Sequence, residues 1–178
     1  MKTIRFTALS FIIFGISYAQ QDLNLNAPNY QLKQTLPDSL RNTRLENLNG
    51  KAFTLSEILI KHKGKKILVD IWASWCKDCL ISIPKLKILR EKLQGKNIVY
   101  LLLSVGKDRE RWQNTITKFK IEGEHYIFEE GWKNSFNNYI DLDWIPRFLI
   151  IDENGKIIHG KSIEVDDKKL FRILSDSN

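Results

Sequence analysis

The chain has two cysteines, and they stand three residues apart, Cys76 and Cys79, directly behind an apolar run. Lys66 to Ala73 contains Ile67-Leu68-Val69 and Ile71-Trp72, broken only by Asp70. A run of that length with apolar residues on both alternations suits a strand buried on both faces of a sheet. Beyond the cysteines, Ile83, Leu86, Leu89 and Leu93 recur at helical spacing, with Pro84 as an internal kink. The pair is therefore expected where a buried strand gives way to a helix. Cysteines at i and i+3 on a first helical turn can close a small disulfide ring.

The surrounding pattern is that of one α/β domain. Arg44–Leu48 and Lys51–Leu55 flank Asn49-Gly50 and predict a β-hairpin, with Ser56 capping a short helix through Lys61. A second buried strand is expected over Ile98–Ser104, and a helix over Asp108–Phe119 with Trp112, Ile116 and Phe119 on its core face. His125–Phe128 reads as a short strand and Ser135–Tyr139 as a short helix. Arg147–Ile151 and Lys156–His159 read as strands joined by Asp152-Glu153-Asn154-Gly155, and Asp166–Leu174 as a closing helix. This order predicts an α/β sandwich with a mixed sheet, without repeats or a second domain.

The amino terminus points to export. Lys2 and Arg5 precede an apolar stretch from Phe6 to Ile16, and Ser17-Tyr18-Ala19 offers small residues for cleavage before Gln20. Residues 1–19 are read as a signal peptide, because the stretch is about half the ~20 residues that span a bilayer. A buried N-terminal helix is the alternative. No cysteine follows to accept a lipid. Residues 20–43, polar with Pro28 and Pro37, read as an extended surface arm, and residues 44–178 as the domain. The formal charge of +7 and pI near 9.4 suggest nucleic acid at first sight. Export removes that partner, and the lysines and arginines are interspersed with acids as on a solvated surface.

Three chemistries fit the cysteine pair. At a helix N-terminus, unpaired N–H groups and the macrodipole favour a thiolate at Cys76, while Cys79, one turn in, is more buried. This asymmetry makes Cys76 the nucleophile and Cys79 the resolving thiol. A structural disulfide is the second option, but so small a loop stabilises little. Zinc is the third, and His62, His125 and His159 show no paired ligand spacing.

Val69-Asp70-Ile71-Trp72-Ala73-Ser74-Trp75-Cys76-Lys77-Asp78-Cys79, with Pro84 five residues on, resembles the active-site strand, motif and kinked helix of thioredoxin-fold proteins. Leu48–Ser56 is similar to the hairpin that precedes the first core strand in the exported TlpA/ResA-type branch. Trp144-Ile145-Pro146-Arg147 and the residues to Ile157 resemble its cis-proline loop and following hairpin. The resemblance runs from about Arg44 to the C-terminus. It implies a thioredoxin-like three-layer sandwich with a mixed central sheet, an N-terminal β-hairpin extension and a cis-Pro loop.

It also implies site residues. Pro146 is expected to be cis, its loop to pack on the Cys76–Cys79 pair and bar metal, and the Ile145 backbone to pair with an extended substrate. Asp70 stands where thioredoxin keeps a buried carboxylate; desolvation would raise its pKa and fit it to accept the Cys79 proton. A strand-end Asp reaching water is the alternative. No lysine stands in Ile98–Ser104 to match thioredoxin's, and Ser82 replaces a glutamate of ResA-like proteins. Trp75, Trp144, Ile145 and Pro146 are expected to form an apolar apron around an exposed Cys76 sulfur, suited to unfolded polypeptide; Trp144 could equally be core. Lys77 and Asp78 have opposed effects on the thiolate, and Arg147 is expected to add positive charge beside it.

The implied function is an exported, periplasmic thiol–disulfide oxidoreductase that reduces disulfides of polypeptides, whether apocytochromes in cytochrome c biogenesis, another oxidoreductase or damaged envelope proteins. It needs no cofactor or metal and draws electrons from a membrane thiol donor. The rivals are a disulfide-donating oxidase, a redox-inert binding module and a metal carrier.

Overall fold

The computed structural model describes residues 36–176. The expected signal peptide, 1–19, and most of the 20–43 arm lie outside the described residues. The final part of that arm departs from the extended reading. Asp38–Arg41 forms a helical turn (α1), and Leu36 and Leu40 beside it are only 4% and 6% exposed. Leu40 is the buried residue of the turn, Leu36 is buried just before its cap, Pro37, and α1 lies against the neighbouring helices α2 (Leu55–Lys61) and α5 (Ser135–Tyr139).

Strands β1 (Arg44–Asn47) and β2 (Ala52–Thr54) form the hairpin. Its turn takes four residues rather than two. The Asn47 side chain accepts from the Asn49 and Lys51 amides at 3.0 and 2.9 Å, and Gly50 sits at φ +77°, where a side chain would be strained. Helix α2 is capped by Thr54, not Ser56. The Thr54 hydroxyl accepts from the Glu57 amide, and the Glu57 carboxylate accepts from the Thr54 amide in return.

Strand β3 (Lys66–Trp72) is buried at every residue, so both faces of the sheet are covered there. Lys66 reaches out to cap the last carbonyls of α6 (Lys168–Ser175), donating to Ile173 at 3.1 Å and to Asp176. Helix α3 (Lys77–Lys92) follows, with Pro84 inside it, then β4 (Ile98–Ser104) and α4 (Arg109–Phe119). Trp112 and Ile116 face the core as expected, but Phe119 is 40% exposed. It occupies the last turn, just before Lys120 swings the chain aside at φ +50°. Next come β5 (Glu124–Phe128), β6 (Arg147–Ile151) and β7 (Ile157–Ser162). Strand β7 runs three residues past the expected end. Helix α6 starts two residues late because Asp167 is the capping side chain.

Among the described residues the strands make one sheet in the order β2-β1-β5-β4-β3-β6-β7. β3, β4 and β5 are parallel, while β1, β2, β6 and β7 join antiparallel. This is the mixed sheet with helical cover that the sequence implies. No helix of the described residues is long and apolar enough to cross a membrane.

Leu40→Ala is expected to cost about 2 kcal/mol of unfolding free energy, read by urea titration of the oxidised protein. Ile60→Ala, on the 68% exposed Ile60, should stay within about 0.5 kcal/mol of the parent. Equal effects would mean that α1 is not packed against the domain.

Candidate active site

The site is built where β3 ends. After Trp72 the chain makes a tight turn, with the Cys76 amide donating to the Ala73 carbonyl at 3.0 Å, and α3 begins. Cys76 is the N-cap of α3, and its Sγ accepts from the Cys79 amide at 3.1 Å. The two cysteines form a disulfide with their Cα atoms 5.3 Å apart. Cys76 is 7% exposed and Cys79 2%. The order of accessibility agrees with the sequence reading, but the Cys76 sulfur is more covered than the expected open position. Its cover is the loop before β6: the Ile145 carbonyl oxygen lies 3.7 Å from Cys76 Sγ.

That loop meets the cysteines because β6 runs antiparallel to β3, with Arg147 opposite Ile71 and Phe148 opposite Asp70. The start of β6 is thereby brought to the end of β3. The Ile145–Pro146 peptide is cis, and both residues are buried. Trp144 projects from the loop, 56% exposed, and is not core. Trp75 is 53% exposed on the cysteine turn, and its indole nitrogen comes close to Gly106, where a Cβ would stand 3.8 Å from it.

The groove alongside has a volume of about 210 Å³ and is lined by Asp78, Ile81, Trp144, Pro146, Ile163 and Val165 among others. Ile81 and Ile163 are more than half exposed. Sequence reasoning missed both. Ile81 lies off the core stripe of α3, and Ile163 follows β7 in a segment without periodicity, so neither carries a signal except as an apolar residue out of phase.

Asp70 is buried in the centre of the sheet with Leu102 and Phe148 as its lateral neighbours. Among the described residues its Oδ1 has no hydrogen-bond partner. Desolvation pushes its carboxyl up to about 7, so the neutral form is favoured over most of the acidic range. The alternative of a carboxylate reaching water does not hold. Ser82, in place of the glutamate, donates to the Cys79 carbonyl at 2.7 Å and so serves the helix backbone.

Arg147 corrects an expectation. Side chains alternate along a strand, so a residue opposite Ile71 faces away from the sheet face that carries Asp70. Its guanidinium is fully buried and engages the Ile140 carbonyl at 3.3 Å and the Asp143 carboxylate. The positive charge is balanced by a carboxylate of the loop, so it does not stand as the unpaired cation expected beside the thiols.

Among the described residues no three His, Cys, Asp or Glu side chains gather as a metal site. His62 contacts Glu124 at 3.1 Å and His125 the Ile121 carbonyl at 2.9 Å, both remote in sequence from the cysteines.

A disulfide across the first turn of a helix, behind a central parallel strand and beneath a cis-proline loop, defines a dithiol–disulfide exchange protein. Residues 64–157 match the thioredoxin-like family, and the chain belongs to it. ResA, a thiol-disulfide oxidoreductase of Geobacillus thermodenitrificans, is 25% identical over 138 residues, 76% of this chain and 73% of that protein. A Bacteroides vulgatus protein described as a candidate thiol-disulfide oxidoreductase is 32% identical, with a TM-score of 0.63 over 82% of this chain and 91% of that one. A thiol-disulfide oxidoreductase of Bacteroides fragilis shares the fold with a TM-score of 0.62 at 24% identity, over 76% and 99% of the chains. By family the chain is a thioredoxin-type enzyme.

The Asp70 environment makes a prediction about stability. The unfolded carboxyl titrates near 3.8 and the folded one near 7. Between these values the unfolded chain releases a proton that the folded chain keeps, so stability falls as pH rises. The full loss by pH 8 is about 4 kcal/mol. Asp70→Asn should flatten this dependence and leave the oxidised protein more stable than the parent at pH 8, measured by urea unfolding at pH 5 and 8. Parallel pH profiles would show that the carboxyl is not held neutral.

Proposed function

We propose that this protein is an extracytoplasmic reductase of polypeptide disulfides. The dithiol–disulfide cycle in this reading is supported most by one contact, which favours Cys76 as the nucleophile: Cys76 Sγ is the acceptor at the mouth of α3, bonded to the Cys79 amide at 3.1 Å. In the reduced protein the same N–H, with the helix N-terminus behind it, stabilises a thiolate at Cys76.

The Cys76 thiolate attacks one sulfur of the substrate disulfide. A Cys76–substrate disulfide forms, and the first substrate thiolate leaves and takes a proton. Cys79 then gives its proton to the Asp70 carboxylate and attacks Cys76 Sγ. The second substrate thiolate leaves, and the Cys76–Cys79 disulfide is restored. Two electrons pass from the dithiol to the substrate, and Asp70 later returns its proton to solvent. A carboxyl near neutrality suits that step, because it can both accept and release a proton at working pH.

The exposed Trp75 and Trp144 frame the docking surface, and an extended segment entering between them would pair with the backbone of Ile145, beside Pro146. Export rests on residues 1–19, whose charge and apolar pattern fit a signal peptide. A membrane thiol donor would restore the dithiol outside the cytoplasm, and apocytochrome is one fitting substrate.

Redox titration followed by tryptophan fluorescence tests the direction, since Trp75 adjoins the pair. A potential near the thioredoxin value of about −270 mV supports reduction, and one near −120 mV means disulfide donation instead. No transition in the folded state would leave a redox-inert binding module. Cys79→Ser should trap a polypeptide as a mixed disulfide on Cys76, visible by non-reducing electrophoresis, whereas Cys76→Ser should trap none. The opposite pattern would reverse the two roles.

A further inference from the structure

The seven residues from Ile140 to Pro146 connect α5 to β6 and carry Trp144, Ile145 and Pro146. They begin as an ordinary left-handed helix end: Asp141 takes φ +49°, and the Asp141 and Leu142 amides donate to the Asn138 and Asn137 carbonyls at 3.2 and 2.9 Å. Past that helix end, side chains tie the segment to the strands it leads into. The Asp143 carboxylate does this with both oxygens. Oδ1 takes the buried Arg147 guanidinium of β6, and Oδ2 takes Lys161 Nζ of β7 at 2.6 Å. Arg147 also donates to the Ile140 carbonyl at 3.3 Å, so one guanidinium ties the first residue of the connection to its centre.

The two cations differ in kind. Arg147 is fully enclosed, and a buried charge that loses its counter-charge is costly, so its pairing with Asp143 is obligatory. Lys161 is 54% exposed and Asp143 59%, so their pair is a surface interaction of the sort usually worth less than about 1 kcal/mol. Asp143 is two residues from Ile145, whose carbonyl lies 3.7 Å from Cys76 Sγ. A shift of the carboxylate is passed through two peptide units to the atoms that face the sulfur.

We propose that Asp143, held between Arg147 and Lys161, is a positioning residue that fixes the Ile145 backbone at the distance from Cys76 needed to receive a polypeptide strand. The inference rests on the reductase reading above. It assigns the charge of Arg147 to substrate alignment, not to acidifying the thiol. A small disulfide that makes no backbone pairing with Ile145 has no use for this alignment.

The test uses the full chain, pre-reduced and mixed with excess oxidised insulin, or with hydroxyethyl disulfide as an uncharged small disulfide. Asp143→Asn should raise the half-saturating insulin concentration about tenfold, within what a small misplacement can cost. The limiting rate with insulin and the rate with hydroxyethyl disulfide should stay within about twofold. Asp143→Glu should recover part of the loss. Lys161→Gln, which leaves the buried pair in place, should show the same selective effect at two- to threefold, and it decides the matter if Asp143→Asn does not fold. Equal loss with both disulfides, or an unchanged insulin concentration in folded variants, overturns the proposal. If the parent protein reduces neither disulfide, the reductase reading fails and takes this inference with it.

Discussion

The antiparallel pairing of β3 with β6 is the contact on which the site depends. Pairing Arg147 with Ile71 and Phe148 with Asp70 lays the start of β6 beside the end of β3. The cysteine turn and the proline loop are about seventy residues apart in sequence, yet each is only a few residues from this ladder. A one-residue slip would turn every side chain of β6 to the other face of the sheet. Arg147 would then stand where Phe148 packs, and its charge would lie on the Asp70 face. The register is protected because such a slip would part the buried Arg147 guanidinium from the Asp143 carboxylate.

The same sheet sets up an electrostatic contrast. On one face Asp70 has no counter-charge among the described residues and stays neutral through much of the acidic range. On the other, Arg147 is buried as a charge and keeps a carboxylate partner. A carboxyl can escape the cost of burial by holding its proton, whereas a guanidinium cannot shed one and has to be paired. Two ionisable residues opposite adjacent positions of the same ladder thus meet burial in different ways. Only the one that can change its protonation is suited to proton transfer.

Most of the fold was legible because its strands are continuous apolar runs and its helices follow them. β4, β6 and α5 fall where Ile98–Ser104, Arg147–Ile151 and Ser135–Tyr139 place them, and β3 ends one residue short of the Lys66–Ala73 run. The misreadings came where two side chains compete for one role. Thr54 and Ser56 can both cap a helix, and only Thr54 has Glu57 at the spacing for a reciprocal bond. Leu36 and Leu40 lie in a polar, proline-bearing stretch whose composition hides two well-spaced leucines. The cysteines, Asp70 and Pro146 could be read from local sequence with the family resemblance. The role of Asp143 could not, since it depends on which face Arg147 takes and on a lysine that arrives from β7.

The edges of the sheet matter to any protein that holds other chains in extended form. β2 offers three residues and passes straight into α2, with Thr54 and Glu57 occupying its end. β7 pairs with β6 through register shifts between Phe148 and Ile151, which break the regular spacing of its backbone groups. Short and irregular edges are poor templates for a further strand. A further extended chain laid against either edge would therefore find little to polymerise onto, and the sheet is not set up to grow.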